Sequence, residues 1–429
     1  MSRTVEPASA VVGHIAVPGD KSISHRSVLV AAVGEGDCRL RGFGRSADTQ
    51  ATVDAVRALG VRVDEDGDEL LVHGVGLGGL RPPSLPIDCA NSGTLMRLLA
   101  GLLAGNGGRF ELSGDASLSS RPMERIAEPL RRMGATVETT GGHAPVVIEG
   151  GPLRGITYEL PVASAQVKSA ILLAGLGADG PTSVLEPAPT RDHTELMLRA
   201  AGVRVARRGK RITVQPPGLL RLPALDVPGD VSSAAPFVAA ASLLAGSDLT
   251  VHDLGLNPTR TGLLDVLERM GARLNVQHRH RAGAEPAGDL EITPAELVAA
   301  RVTAAEVPRL VDELPLLALV AGMARGTTSI RGAAELRVKE TDRVTAVVDA
   351  LRPIGIHIEG LDDGFRIRGV PTRPRGGATV DSRGDHRIAM LGAVAGLVSR
   401  EPVRIEGDEA VAVSFPGFFD LLEAVAQRT

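Results

Sequence analysis

Leu59-Gly-Val-Arg-Val63 reads as the end of a helix running straight into a strand: an apolar residue, a glycine, then apolar–charged alternation. The pattern returns as Met133-Gly-Ala-Thr-Val137, Ala201-Gly-Val-Arg-Val205, Met270-Gly-Ala-Arg-Leu274 and Ile354-Gly-Ile-His-Ile358. Glycine suits such a stop because it enters the left-handed backbone region without a Cβ clash. Five copies in one order identify an internal repeat.

Working outward from the first copy, residues 49–59 form an amphipathic helix with Val53, Val56 and Leu59 at helical spacing. Strands are expected at 38–43, 61–64 and 69–73. Ahead of them lies a helix of small and aliphatic residues, 24–33. Helices of that kind open six times, at Lys21-Ser-Ile-Ser-His-Arg26, Asn91-Ser-Gly-Thr94, Ser164-Ala-Gln-Val-Lys168, Val231-Ser-Ser233, Val311-Asp-Glu313 and Asp385-His-Arg387. The openings recur at roughly 70-residue intervals. Being apolar all round, these helices should be buried, with the amphipathic ones outside. The sixth unit runs through a helix at 386–398, a strand at 403–406 and a helix at 418–426. It then lacks a strand, which the N-terminal stretch 11–17 is expected to supply.

The chain therefore reads as an α/β protein of two similar domains, each built from three repeated α/β units around buried helices. Leu225-Asp-Val-Pro-Gly-Asp230 looks like a hinge and Pro18-Gly-Asp20 like its matching crossover. The domains expected are 19–230 and 1–18 with 231–429.

Composition narrows the function. In 429 residues the formal net charge is −4, with no Trp and one Tyr, so neither charge nor aromatic stacking recommends nucleic acid as a partner. Only four lysines, Lys21, Lys168, Lys210 and Lys339, accompany a large arginine complement. Lys21 and Lys339 therefore stand out as compact cations kept for a purpose. Cys38 and Cys89 show no metal spacing and read as reduced core residues of a cytosolic protein. The uncharged stretch 231–247 is too short for a membrane span.

A helix start offers free backbone N–H groups and a positive dipole end, so six of them suit a strongly anionic ligand. Lys21, Ser22 and Arg26 within one turn resemble a phosphate cradle, without the glycine spacing of a nucleotide loop. Gly93 lets a ligand approach the backbone, and Arg121 precedes a further helix start with Pro122 in its first turn. Within Arg337-Val-Lys-Glu-Thr-Asp-Arg343, Lys339 and Glu340 read as a proton-transfer couple and Arg343 as an anion holder. Asp312 is placed as a base or a helix cap. The stretches His73-Gly-Val-Gly-Leu-Gly-Gly79 and Gln277-His-Arg-His280 read as loops rather than dinucleotide or metal sites.

Taken in order, residues 18–26, 91–97, 121–123, 164–170, 337–343, 385–387 and Ser414-Phe-Pro416 resemble the 5-enolpyruvylshikimate-3-phosphate (EPSP) synthase family essentially from end to end. The resemblance implies two three-repeat domains that close over their substrates. It also implies transfer of the enolpyruvyl group of phosphoenolpyruvate to the 5-hydroxyl of shikimate 3-phosphate by addition and elimination. No metal or organic cofactor is implied, and a cytoplasmic monomer is expected. Carried over by motif, Lys21, Ser22, Arg26, Ser164, Ala165, Gln166, Arg191, Asp312 and Lys339 would hold shikimate 3-phosphate. Lys21, Gly93, Arg121, Gln166, Arg343 and Arg387 would hold phosphoenolpyruvate. Asp312 would act as base, with Glu340 and Lys21 moving the methylene proton. Three departures stand out. Ala165 replaces a serine common in the family, Val413 replaces a common lysine, and Arg191 belongs to a bacterial subgroup and would supply replacement charge. The alternative is UDP-N-acetylglucosamine 1-carboxyvinyltransferase, whose family has Lys-Asn at the first cluster and a cysteine before Arg-Pro. Here Ser22 follows Lys21 and residues 114–120 contain no cysteine. A non-catalytic anion binder would have no use for Asp312 and Glu340.

Overall fold

All five glycines of the repeated helix end adopt positive φ, from 85° at Gly202 to 114° at Gly134, in the computed structural model, which describes residues 1–222 and 224–428. Each closes the same double bond: Gly60 N–H donates to Arg57 O and Val61 N–H to Val56 O, and the pairs repeat at 134/135, 202/203, 271/272 and 355/356. This Schellman arrangement satisfies helix-end carbonyls and aims the chain into a strand.

The six small-residue helices run Lys21–Ala32, Gly93–Ala104, Ala165–Ala174, Val231–Leu243, Leu314–Met323 and His386–Val398, and are called here the first to sixth core helices. All are buried over most of their length, whereas the helix Glu124–Met133 buries one face only. Small residues allow close approach. A Cβ on Gly101 of the second core helix would lie 2.2 Å from the carbonyl oxygen of Ala170 on the third, so only glycine fits there.

The chain forms two compact units. One comprises Gly19–Val227 with Arg281–Glu285; the other comprises Met1–Pro18, Pro228–His280 and Pro286–Thr429. Each unit has its own hydrophobic core around its three core helices.

Every repeat carries its own sheet. Four of the six share one order: a short strand parallel to a longer one, followed by two antiparallel strands. In the first repeat Leu225–Asp226 lies parallel to Glu35–Arg41, followed by Glu69–Val75 and Arg62–Asp66. The start of the expected hinge is thus a strand that completes the first sheet.

The N-terminus meets its expectation only in part. Ala10–Ala16 pairs parallel with Asp248–Gly255 of the fourth repeat and antiparallel with Ala426–Gln427. It plays for the fourth repeat the part that Leu225–Asp226 plays for the first. The sixth sheet is completed instead by Ser2–Val5, antiparallel to Val403–Glu406. Four residues are too short for a legible alternation, which is why this strand escaped notice in the sequence.

Two loop expectations also change. Gln277–His280 lies within the strand Arg273–Ala282, whose polar, exposed face hides its period, and His73–Val75 ends the strand Glu69–Val75. Pro122 precedes a helix that opens only at Glu124, so it lies outside the first turn.

Candidate active site

In the unit containing Gly19–Val227, Asp20 caps the first core helix by accepting from Ile23 N at 2.9 Å, which fixes the turn bearing Lys21, Ser22 and Arg26. Lys21 Nζ meets Asp48 Oδ2 at 2.8 Å. The Arg26 guanidinium is spread over three acceptors: Nε donates to Thr194 Oγ1 at 2.7 Å, Nη2 to Ser169 Oγ at 3.0 Å and Nη1 to Ser22 O at 2.9 Å. Burial pushes Arg26 down to about 10, opposed by Asp20 and Glu195 and assisted by Arg191, so Arg26 stays charged at neutral pH with Arg191 near it. His25, also buried, is pushed down to about 3 by desolvation and is neutral. Its ring bridges Thr52 Oγ1 at 2.6 Å and Ser92 Oγ at 3.4 Å, tying the first core helix to the start of the second.

Gly93 opens the second core helix under the Ser92 cap. A Cβ there would stand 2.9 Å from Arg97 Nη1 and 3.5 Å from Arg121 Nη1, so the missing side chain leaves room beside two guanidinium groups. Arg97 donates to Gln166 Oε1, and Gln166 Nε2 donates to Thr94 Oγ1 at 2.9 Å. Arg121 is steadied by Asn91 Oδ1 at 2.6 Å and Ser117 Oγ at 3.1 Å. Ser164 caps the third core helix through Val167 N, which leaves its O–H to donate, whereas Ala165 brings no side-chain donor. Val413, which belongs to the other unit, is half-buried and adds no charge.

Behind this set lies a group that sequence reasoning passed over. Lys168 is fully buried, with Nζ 2.9 Å from Glu186 Oε1 and 2.7 Å from Glu195 Oε1. A cation sealed between two carboxylates is internal scaffolding, and Glu195 follows the Thr194 that holds Arg26. The sequence signal was the rarity of lysine, which marked Lys168 without saying which way it pointed.

In the other unit Arg343 is the hub. It is 1% exposed, and its Nε donates to Asp385 Oδ2 at 2.7 Å, its Nη2 to Glu340 Oε2 at 2.6 Å and its Nη1 to Asp312 Oδ1 at 3.3 Å. Burial alone would depress this guanidinium, but Asp385 and Glu340 outweigh it and raise it above its usual value. Burial likewise would raise the Asp385 carboxyl; Arg343 and then His386 hold it below the carboxylate range. Asp385 also caps the sixth core helix by accepting from Arg387 N at 2.9 Å. The Asp312 carboxylate has three cations about it: Arg343 at 3.3 Å, Lys339 at 3.6 Å and Arg387 at 3.8 Å. Asp312, Lys339, Glu340, Arg343 and Arg387 are thus brought together. Lys339 and Glu340 sit just before the helix Arg343–Leu351, which Asp342 caps.

The start of the fourth core helix joins this set. Ser232 Oγ donates to Glu313 Oε1 and accepts from Arg260 Nη2 at 2.9 Å and Arg387 Nη2 at 3.3 Å.

Among the described residues no group of three or more His, Cys, Asp or Glu is arranged to hold a metal ion, and no helix is long and apolar enough to cross a membrane. Cys38 and Cys89 are both buried, and burial pushes the Cys38 thiol up to about 12, as befits unreactive core residues.

The architecture is that of enolpyruvyl transferases. The enolpyruvyl transferase NikO from Streptomyces tendae superposes with a TM-score of 0.79 over 98% of this chain and 96% of its own, at 20% identity, which speaks for the fold alone. Nearer likeness is found in a solved EPSP synthase from Acinetobacter baumannii, with a TM-score of 0.89 and 45% identity over 100% of this chain and 98% of that one. The 3-phosphoshikimate 1-carboxyvinyltransferase of Alkalilimnicola ehrlichii is 50% identical over 420 residues, 97% of this chain and 94% of the relative. That of Pelobacter propionicus is 48% identical over 424 residues, 98% of each. The model of the EPSP synthase (3-phosphoshikimate 1-carboxyvinyltransferase) family matches residues 5–422, and the chain belongs to that family. The UDP-N-acetylglucosamine alternative is accordingly not favoured.

Proposed function

We propose that this chain transfers the enolpyruvyl group of phosphoenolpyruvate to the 5-hydroxyl of shikimate 3-phosphate, releasing phosphate, on the route to chorismate and the aromatic amino acids. The supporting observation is the Asp312 carboxylate within 4 Å of Lys339, Arg343 and Arg387. A base and the cations to steer anionic substrates onto it stand in one cluster, which an anion-binding protein would not need.

In this reading Lys21, Ser22, Arg26, Ser164, Gln166, Arg191, Asp312 and Lys339 receive shikimate 3-phosphate, with Ala165 offering only its place in the helix start. Lys21, Gly93, Arg121, Gln166, Arg343 and Arg387 receive phosphoenolpyruvate. Asp312, with three cations around it, is the base of this reading. Asp312 takes the proton of the 5-hydroxyl as that oxygen bonds to C2 of phosphoenolpyruvate. C3 gains a proton from Lys21 or Glu340 and becomes a methyl group. The C2–O bond to phosphate then breaks, and loss of a proton from C3 restores the double bond. Fixed cations hold two anions together and stabilise the charge that develops. Arg343 is already shared among Asp385, Glu340 and Asp312, so an anion it receives competes with Asp312 and Glu340 and loosens both carboxylates for proton transfer. The enzyme works as a cytoplasmic monomer without metal or organic cofactor.

Asp312→Ala tests the assignment. Turnover should be abolished while calorimetry still detects binding of shikimate 3-phosphate. Near-normal turnover would remove Asp312 from the role of base.

A further inference from the structure

Glu313 occupies the cap position of the fifth core helix, yet its side chain makes no cap bond. Its fully buried carboxylate turns instead to Ser232 and to Arg387 Nη1, 3.6 Å away. A carboxylate can only accept, so the Ser232 hydrogen is committed to Glu313 and both Ser232 lone pairs face outward. They receive Arg260 Nη2 at 2.9 Å and Arg387 Nη2 at 3.3 Å. Arg260 is anchored in turn by Asp230 at 2.7 Å, and Asp230 caps the helix that carries Ser232. One hydroxyl thus joins the starts of the fourth, fifth and sixth core helices. Two cations and two carboxylates surround it.

Of the groups in this junction, Arg387 is the one assigned to substrate, and its side chain is 14% exposed. A guanidinium grips a carboxylate or phosphate through paired N–H groups, so its grip depends on how its plane is fixed. Ser232 and Glu313 reach both terminal nitrogens of Arg387 from the buried side. We infer that Ser232 and Glu313 are positioning residues for phosphoenolpyruvate, fixing the plane in which Arg387 presents its N–H groups. The inference rests on Arg387 holding that substrate. It gives the fourth helix start, which has no ligand residue of its own, a part in substrate selection: it sets the affinity for one of two anions without touching either.

The test compares Ser232→Ala, Ser232→Thr, Glu313→Gln, Arg387→Ala and the double variant Ser232→Ala/Arg387→Ala, measuring kcat, both KM values and the melting temperature. Ser232→Ala removes the hydroxyl's bonds to Glu313, Arg260 and Arg387; loss of the one to Arg387 should raise KM for phosphoenolpyruvate roughly tenfold. KM for shikimate 3-phosphate should change less than about twofold, since no proposed ligand of that substrate other than Asp312 adjoins Arg387. Ser232→Thr, which keeps the hydroxyl, should restore most of the loss. Glu313→Gln should give the same split more weakly, because the amide still accepts from Ser232 but no longer attracts Arg387. In the double variant, loss of Ser232 should add little to loss of Arg387, as expected when one acts through the other. Additive effects, or a rise in both KM values that follows the melting temperature, would overturn the inference and leave Ser232 a structural link. If Arg387→Ala itself leaves KM for phosphoenolpyruvate unchanged, the assignment of Arg387 fails, whatever Ser232 does.

Discussion

Replacing Arg343 by Met removes the one guanidinium that Asp312, Glu340 and Asp385 share, while keeping most of its volume. Arg343 is 1% and Asp385 0% exposed, so their interaction is little screened by solvent. Removing one partner of a buried pair costs about 3–5 kcal/mol, because the other charge stays buried without compensation. In a unit of this size each kcal/mol moves the melting temperature by about 2–4 °C, so a loss of roughly 6–20 °C is expected at neutral pH. The pH dependence is more specific. In the native protein Asp385 lies below its unfolded value, so its contribution is present above the unfolded carboxylate pKa of about 3.9 and is lost as pH falls through the folded one. In Arg343→Met the same buried carboxyl lies above its unfolded value, so stability falls as pH rises from about 4. The gap between the two proteins should therefore widen from pH 4 to pH 7 in urea unfolding followed by circular dichroism. Arg343→Met/Asp385→Leu should recover most of the loss, less about 1 kcal/mol for the helix cap that Asp385 provides. A gap under about 1 kcal/mol at pH 7, or one that does not change with pH, would refute this account of the hub.

Other outcomes can be checked alongside. Gly93→Ala puts a Cβ 2.9 Å from Arg97 Nη1, which can move only by loosening its bond to Gln166. The melting temperature should stay within a few degrees, while KM for phosphoenolpyruvate rises on the order of tenfold; an unchanged KM would show that no substrate passes this glycine. His25, neutral with a folded value of about 3 against roughly 6.5 unfolded, contributes stability that is complete above pH 6.5 and is lost as pH falls toward 3. Between pH 7 and pH 5 its share of the loss is about 2 kcal/mol, so the urea-stability gap between wild type and His25→Gln should narrow by that much. A constant gap would mean that His25 titrates normally.

Much of the architecture was legible because its cause is local. A glycine at the helix end permits the positive φ that the turn into the strand needs, and a helix of Ala, Gly and Leu has no polar face to leave in water. The failures are equally physical. Ser2–Val5 and Ala10–Ala16 take their places from partners hundreds of residues away, and nothing within four or seven residues encodes the choice. Gln277–His280 is strand in spite of its polarity, because its pairing is set by backbone bonds rather than by an apolar period. Among the site residues, charged clusters marked Lys339, Glu340 and Arg343 directly. Ser232 was invisible: a serine at a helix start is usually a cap, and its ties to Glu313 and Arg387 exist only once three helix starts have converged. Lys168 failed in the opposite way, carrying a charge that the fold buries entirely.

The reaction itself is the most direct test. Phosphate release from phosphoenolpyruvate should be measured with shikimate 3-phosphate as acceptor, with UDP-N-acetylglucosamine in its place, and with neither. Release with shikimate 3-phosphate alone, together with formation of its 5-enolpyruvyl ether, is the expected result. Release with UDP-N-acetylglucosamine only, or with neither acceptor, would contradict it.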